Sequence, residues 1–400
     1  MTLPASGAIS LSAVNTELGL SSTAAITMND SAVRTLFGVA SGAITMNNGY
    51  GKTRTISFSG FDALASFNGS TTRGEAYAIA VNSSGVMAAV GFVVAYPSSK
   101  ASYTRSTDGS TWTTPATING TSTISRMSGI VALPSGKFVA VGYDPVTNNG
   151  GGYVATSADG STWTTPTSIG SCNWNAVCYN PTAGRIVAVG DDGGGGQVSS
   201  YSDNQGASWS SPAFQTAAFA IPKAVCWNPV LNMYACVGRG SASKPFWQTS
   251  TNGTTWTAPV TITNISGSLN AITVMSSGRF VAVGSTVAAG GGGYGIYGYS
   301  DDGATWTTNY TATSTTNADW YGVAINGLNQ ILAVGYNGQN GLPCWTKSTN
   351  GTTWTTLANV GTGSNYGAFT GIATRPDGKF MATGYLTNGG NGYQIYMASN

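Results

Sequence analysis

Short apolar runs recur along the chain with a fixed grammar: a β-branched strand, a polar turn, and a second apolar strand closing on a small-apolar-Gly triplet. The pattern appears seven times, at residues 78–91, 129–142, 176–190, 224–238, 271–284, 322–335 and 371–384. The closing glycines, 91, 142, 190, 238, 284, 335 and 384, are 46 to 51 residues apart. Runs of this length bounded by Ser-Gly, Asn-Pro or Asp-Gly predict hairpins of two buried strands.

A second pattern follows each hairpin except the last. It is a strand, a turn rich in Asp, Asn and Gly, and a strand opening on tryptophan: YTRSTDGSTWTTP (103–115), YVATSADGSTWTTP (153–166), SYSDNQGASWSSP (200–212), FWQTSTNGTTWTAP (246–259), YGYSDDGATWTTN (297–309) and CWTKSTNGTTWTTL (344–357). The Asp-Gly and Asn-Gly tips supply the positive φ that tight turns need. Each full repeat therefore predicts four antiparallel strands, the size of a propeller blade. The expected fold is all-β: a seven-bladed propeller of four-stranded antiparallel blades over residues 54–400. The seventh repeat stops after a third strand at about 393–398, so its fourth strand must come from elsewhere. Residues 55–61, TISFSGF, stand upstream of the first hairpin and are expected to close the ring.

Residues 1–53 follow different rules and predict a small α+β segment. Three short strands are expected at 8–11, 25–28 and 43–46. The first two lead into helices, one capped by Ser12 and ending at Gly19, the other capped by Asn29 or Asp30 and ending at Gly38. A segment this small implies folding against a partner or against copies of itself.

Composition narrows the function. Only 8% of residues are charged, and the net charge is +2. With no Lys/Arg runs, nucleic acid is not an expected partner. The chain has no histidine, the commonest general base and transition-metal ligand. Cys172, Cys178, Cys226, Cys236 and Cys344 are odd in number and form no CxxC pair, which predicts free thiols and a reducing compartment of assembly. No apolar run reaches bilayer length and no signal peptide is expected. No cofactor or metal is expected either. Asp191-Asp192 offers only two carboxylates for calcium. The Gly-rich runs at 149–152, 193–196 and 290–293 lack the ending of a phosphate loop.

Two resemblances carry further expectations. The turn pattern resembles the Asp-box of sialidase-like propellers. Its Gly and Trp match in six copies: Gly109/Trp112, Gly160/Trp163, Gly206/Trp209, Gly253/Trp256, Gly303/Trp306 and Gly351/Trp354. The Asp position departs, since most copies place Asp or Asn one residue later. In that family the box is structural and peripheral, which implies the same role here. The opening LPASGAISLSAVNTELGLSSTAAITMNDSAVRTLFGVASGAITMNNGYGKT is similar to N-terminal segments of tailed-bacteriophage tail and fibre proteins. That resemblance implies a virion protein, assembled in the host cytoplasm, anchored to other virion proteins through residues 1–53, and a homo-oligomer in the particle.

A glycosidase needs two placed carboxylates. The chain has two glutamates, Glu17 and Glu75, and its aspartates sit mostly in predicted turns. Glu75 and Tyr77 form one carboxylate–tyrosine pair. No enzyme is expected. The residues entering the seven inner strands are candidates for binding: Glu75, Tyr77, Arg126, Trp174, Asn175, Lys223, Asn270, Trp320, Tyr321 and Tyr366. Aromatic faces with amide donors suit a glycan, and a host cell-surface glycan or protein is the expected ligand. The alternatives are that the aromatics merely plug the channel, and that the propeller is a structural decoration or connector of the particle.

Overall fold

In a computed structural model, the described residues are 3, 8–18, 25–37, 39, 41, 43–50, 65–67, 73–95, 98–118, 126–144, 151–214, 219–286, 293–310, 317–361, 366–388 and 391–398. They form seven four-stranded antiparallel sheets. These are the blades of a propeller. Blade 1 runs Gly74–Val81, Met87–Ala95, Ser98–Ser106 and Ala116–Thr117. Blades 2 to 6 repeat this order, with inner strands Arg126–Ala132, Asn173–Asn180, Ala220–Asn228, Gly267–Val274 and Ala318–Ile325. Blade 7 takes three strands from the C-terminal end of the chain, Tyr366–Thr374, Phe380–Asn388 and Asn391–Ala398.

Its fourth strand is Ala65–Ser66, paired with Tyr396 and Ile395. The ring is thus closed from upstream of the first hairpin, but by a later segment than the expected 55–61, which lies outside the described residues. Phe67 supplies the physical reason. Its ring is fully buried, 4.9 Å from Trp112 of blade 1 and stacked 5.2 Å from Tyr396 of blade 7. One aromatic therefore joins both sides of the seam. Gln394 reinforces it by donating to the Phe92 carbonyl at 2.8 Å and to Ser102 Oγ at 3.1 Å.

Every inner strand carries a β-bulge at the same place. The register slips between Ala76 and Ala78, Met127 and Gly129, Trp174 and Ala176, Pro222 and Ala224, Leu269 and Ala271, Trp320 and Gly322, and Phe369 and Gly371. The closing glycines face these bulges across the sheet: Gly91 pairs with Ala76, Gly190 with Trp174 and Gly335 with Trp320. A Cβ at any of the seven would land on a carbonyl oxygen of the inner strand. The bulge pushes backbone into the space of a side chain, and only glycine leaves that space open.

The turn motifs are self-contained. Ser106 Oγ accepts the Gly109 N–H at 2.8 Å, and Asp108 Oδ1 accepts those of Ser110 and Thr111 at 2.8 and 2.7 Å. Asn252 and Asn350 make the same pair of bonds with an uncharged oxygen. The position needs an acceptor and not a charge. The six glycines have φ between 74° and 84°. Trp112, Trp163 and Trp256 are buried; Trp209, Trp306 and Trp354 are half-buried.

Residues 3–50 gather a separate apolar cluster of Leu3, Ile9, Val14, Leu18, Val33, Leu36 and Phe37, with Ile26, Met28, Ile44 and Met46 against it. The expected strands at 8–11, 25–28 and 43–46 are not formed; these residues lead into helices Leu11–Glu17 and Ser31–Phe37 and a short 3-10 helix, Met46–Gly49. Ser10, not Ser12, caps the first helix by accepting the Ala13 N–H at 3.0 Å. Thr27 and Thr45 each donate backbone N–H to the residue three ahead, Asp30 and Asn48, at 2.9 and 2.8 Å. The Ile-Ser/Thr pattern is therefore a cap signal that reads like a strand, because β-branched and hydroxyl residues suit both.

Candidate functional site

The inner strands run side by side around the central axis, and the bulge turns one residue of each towards it. These are Tyr77, Ser128, Asn175, Lys223, Asn270, Tyr321 and Thr370, one per blade, and all seven line a single cavity of about 460 Å³. Glu75, Arg126, Tyr143 and Tyr385 complete its wall. Glu75 and Arg126 stand two residues before a bulge, on the same side of their strands. Tyr143 and Tyr385 directly follow the closing glycines Gly142 and Gly384. Below the ring a narrower space of about 230 Å³ continues between the small residues Ala78, Gly129, Ala176, Ala224, Ala271, Gly322 and Gly371. A Cβ at Gly129 would lie 3.2 Å from Cα of Ala176 in the next blade, so these small residues let adjacent inner strands approach closely.

Three ring residues clasp the neighbouring blade. Asn175 Nδ2 donates to the Pro222 carbonyl at 2.8 Å, Asn270 Nδ2 to that of Trp320 at 2.9 Å, and Thr370 Oγ1 to that of Ala76. Each acceptor is the residue before a bulge. Tyr77, Ser128, Lys223 and Tyr321 stand at the other four positions.

Seven of the ten residues singled out from sequence come together here: Glu75, Tyr77, Arg126, Asn175, Lys223, Asn270 and Tyr321. Trp174 and Trp320 do not. Both occupy the position before a bulge, which faces between blades, and both are buried at 0% and 1% exposure. A Cβ on Gly152 or Gly295 of the preceding blade would meet the indole Nε1 of Trp174 or Trp320. They are core residues, and alanine there would empty a blade interface rather than a ligand site. Tyr366 also lies apart from the cavity. It is 59% exposed, four residues before the ring position Thr370, with its ring against Gly341. Ser128, Tyr143, Thr370 and Tyr385 were missed. A glycine inside a strand that continues beyond it is the signal of a bulge, and it would have located all four.

The wall is polar and aromatic with few charges. The Arg126 guanidinium lies 5.8 Å from the Tyr77 ring centroid and 5.2 Å from that of Tyr143. Burial raises the Glu75 carboxyl above its usual range, while a hydrogen bond from Tyr77 and the charge of Arg126 oppose the shift. Burial lowers the Lys223 ammonium, with Asp191 opposing and Arg239 adding. Tyr77 and Tyr321 are pushed up by burial and by the carboxylates Glu75 and Asp319, so both hydroxyls keep their protons and remain donors. Glu75 is the one carboxylate among the described cavity residues.

Asp191 and Asp192 turn their oxygens to amides. Asp191 accepts from Asn173, Asn175 and the Gly193 N–H at 3.0–3.1 Å; Asp192 accepts the N–H groups of Gly194 and Gly196 at 2.8 Å. These bonds shape a loop. Among the described residues no group of three or more Cys, Asp or Glu stands placed for a metal, the five cysteines are free, and no helix is long and apolar enough to cross a membrane.

No protein-family model and no curated protein matches the chain. Among solved structures it is similar to one described as YCF48 bound to D1 peptide, with a TM-score of 0.53 and 16% identity over 85% of this chain and 94% of that one. Identity at that level speaks to fold alone. Fold, register and neighbour agree on an all-β, seven-bladed propeller of four-stranded antiparallel blades.

Proposed function

We propose that this chain is a non-enzymatic virion protein of a tailed bacteriophage, of tail or tail-fibre type, whose propeller binds a receptor on the host surface through the central cavity, and that the receptor is a glycan. The observation that carries the reading is the bulge ring. It sets Tyr77, Tyr321, Tyr143 and Tyr385 around a floor of amides and hydroxyls. Aromatic faces stack on sugar rings, and hydroxyl and amide groups exchange hydrogen bonds with sugar hydroxyls. Attachment to other virion proteins falls to residues 1–53, whose wording is similar to phage tail and fibre segments. Glycoside hydrolysis generally uses a pair of carboxylates, and Glu75 has no second carboxylate beside it among the described cavity residues. Binding without turnover follows.

Screening the whole chain against host surface polysaccharides tests this. Tyr321→Ala and Tyr385→Ala are expected to weaken binding about tenfold or more each while leaving the melting temperature within a few degrees. Binding unchanged in both variants sinks the cavity reading, and release of reducing ends from the polysaccharide sinks the non-enzymatic one. A second reading has one observation behind it: the structural neighbour was solved with a peptide bound. In that reading the same cavity takes a segment of another virion protein and the propeller is a connector. Capture of a virion protein that Tyr321→Ala abolishes, with no polysaccharide bound, selects it.

A further inference from the structure

The blade junctions are built alike, and one of them lacks a part. The third-strand residue that follows the partner of the closing glycine is aromatic in five blades: Tyr103, Trp247, Tyr297, Trp345 and Tyr396. Four of these pack on the turn-motif tryptophan of the next blade. Tyr103 lies 5.9 Å from Trp163, Trp247 6.0 Å from Trp306, Tyr297 4.5 Å from Trp354, and Tyr396 5.4 Å from Trp112. In blade 3 the position is Ser199, and Tyr234 of blade 4 itself approaches Trp256 at 6.4 Å. In blade 2 the position is Val154. No ring from blade 2 stands there against Trp209 of blade 3. A groove of about 650 Å³ opens instead, lined by Val154, Trp209, Pro212 and the hydroxyls of Thr156, Thr164 and Ser210.

We propose that this groove is a second binding site, separate from the central cavity, and that it takes a tyrosine or tryptophan side chain from a partner polypeptide. The protein's own junctions show what packs in this place: an aromatic side chain against the tryptophan. A polypeptide also suits the groove's margin. Thr167–Ser168 is the outermost strand of blade 2, two residues long and exposed, and its outward backbone edge is open to an added strand. Thr167 and Ser168 both line the groove. The wall carries one charged side chain, Lys137, so affinity rests on ring packing and backbone hydrogen bonds and depends little on salt.

The test uses the full chain labelled with 5-fluorotryptophan. Its eleven tryptophans give separate fluorine resonances, and Trp209→Phe identifies one of them. The probe is the capped peptide Thr-Tyr-Thr, with Thr-Ala-Thr and cellobiose as comparisons. The tyrosine peptide is expected to shift the Trp209 resonance saturably and the alanine peptide to leave it in place. Val154→Tyr restores the missing ring, and is expected to weaken the peptide about tenfold or more. Val154→Leu fills less of the groove and is expected to weaken it less, which keeps the test intact if the tyrosine variant fails to fold. Tyr321→Ala, in the central cavity, is expected to leave the shift unchanged. An unmoved Trp209 resonance at millimolar peptide, or a shift with cellobiose alone, overturns the proposal.

Discussion

Gly335 stands opposite Trp320, and a Cβ there would fall on the Asp319 carbonyl oxygen. No rotamer relieves such a contact, because both partners are backbone. Gly335→Ala is expected to cost about 3 kcal/mol in chemical denaturation, through displacement of the bulge. Gly327 lies in a turn with nothing within 4 Å of its would-be Cβ, so Gly327→Ala is expected to stay within about 0.5 kcal/mol of the parent. Similar losses in the two variants would show that the seven glycines serve as mere strand ends. The same residue-level detail decided what was legible in the site. The inner-strand entrances were readable from the repeat, and they delivered Glu75, Tyr77, Arg126, Asn175, Lys223, Asn270 and Tyr321. Strict alternation could not say which neighbours face the axis, because one extra residue resets the phase. Trp174 beside Asn175, and Trp320 beside Tyr321, therefore went to the wrong side.

Between elements, arginines link one blade to the turn of the next. Arg185 forms a two-point contact with Asp203 at 2.7 and 2.8 Å, lies 4.1 Å over the Tyr201 ring, and donates to the Asn252 carbonyl of blade 4 at 2.8 Å. Arg279 repeats this with Asp301, Tyr299 and Asn350. Arg105 and Arg375 reach the Asp159 and Asp108 carbonyls. Four of the chain's arginines thus have structural work in a protein with few charges to spare. Arg185→Ala is expected to cost about 1 kcal/mol, since both ionic partners are partly exposed. Arg185→Lys is expected to lose nearly as much, because an ammonium cannot fork to Asp203 and still reach Asn252. Full retention of stability in the lysine variant, by thermal melting, would leave charge alone as the link. The propeller strands were legible because their boundaries coincide with turn chemistry. The helices of residues 11–17 and 31–37 were expected too, but their caps were read as strands.

For the whole molecule, the seam decides whether seven blades make a ring. The Ala65–Ser66 strand is short, and most of the closure lies in Phe67 between Trp112 and Tyr396. Phe67→Ala is expected to cost about 4 kcal/mol and to speed proteolysis near the C-terminal end of blade 7. A variant as protease-resistant as the parent would place closure elsewhere. That an upstream strand must complete blade 7 was legible from the truncated last repeat. Which strand it is was not, because a two-residue pairing leaves little periodicity to read. The bulges have a further consequence. Each is specified by the glycine across the sheet, and Tyr77, Ser128, Lys223 and Tyr321 are under no such demand. Such a protein carries its recognition letters on a frame spelled by other residues, so a lineage can rewrite them one at a time and change what it recognises while the ring still folds.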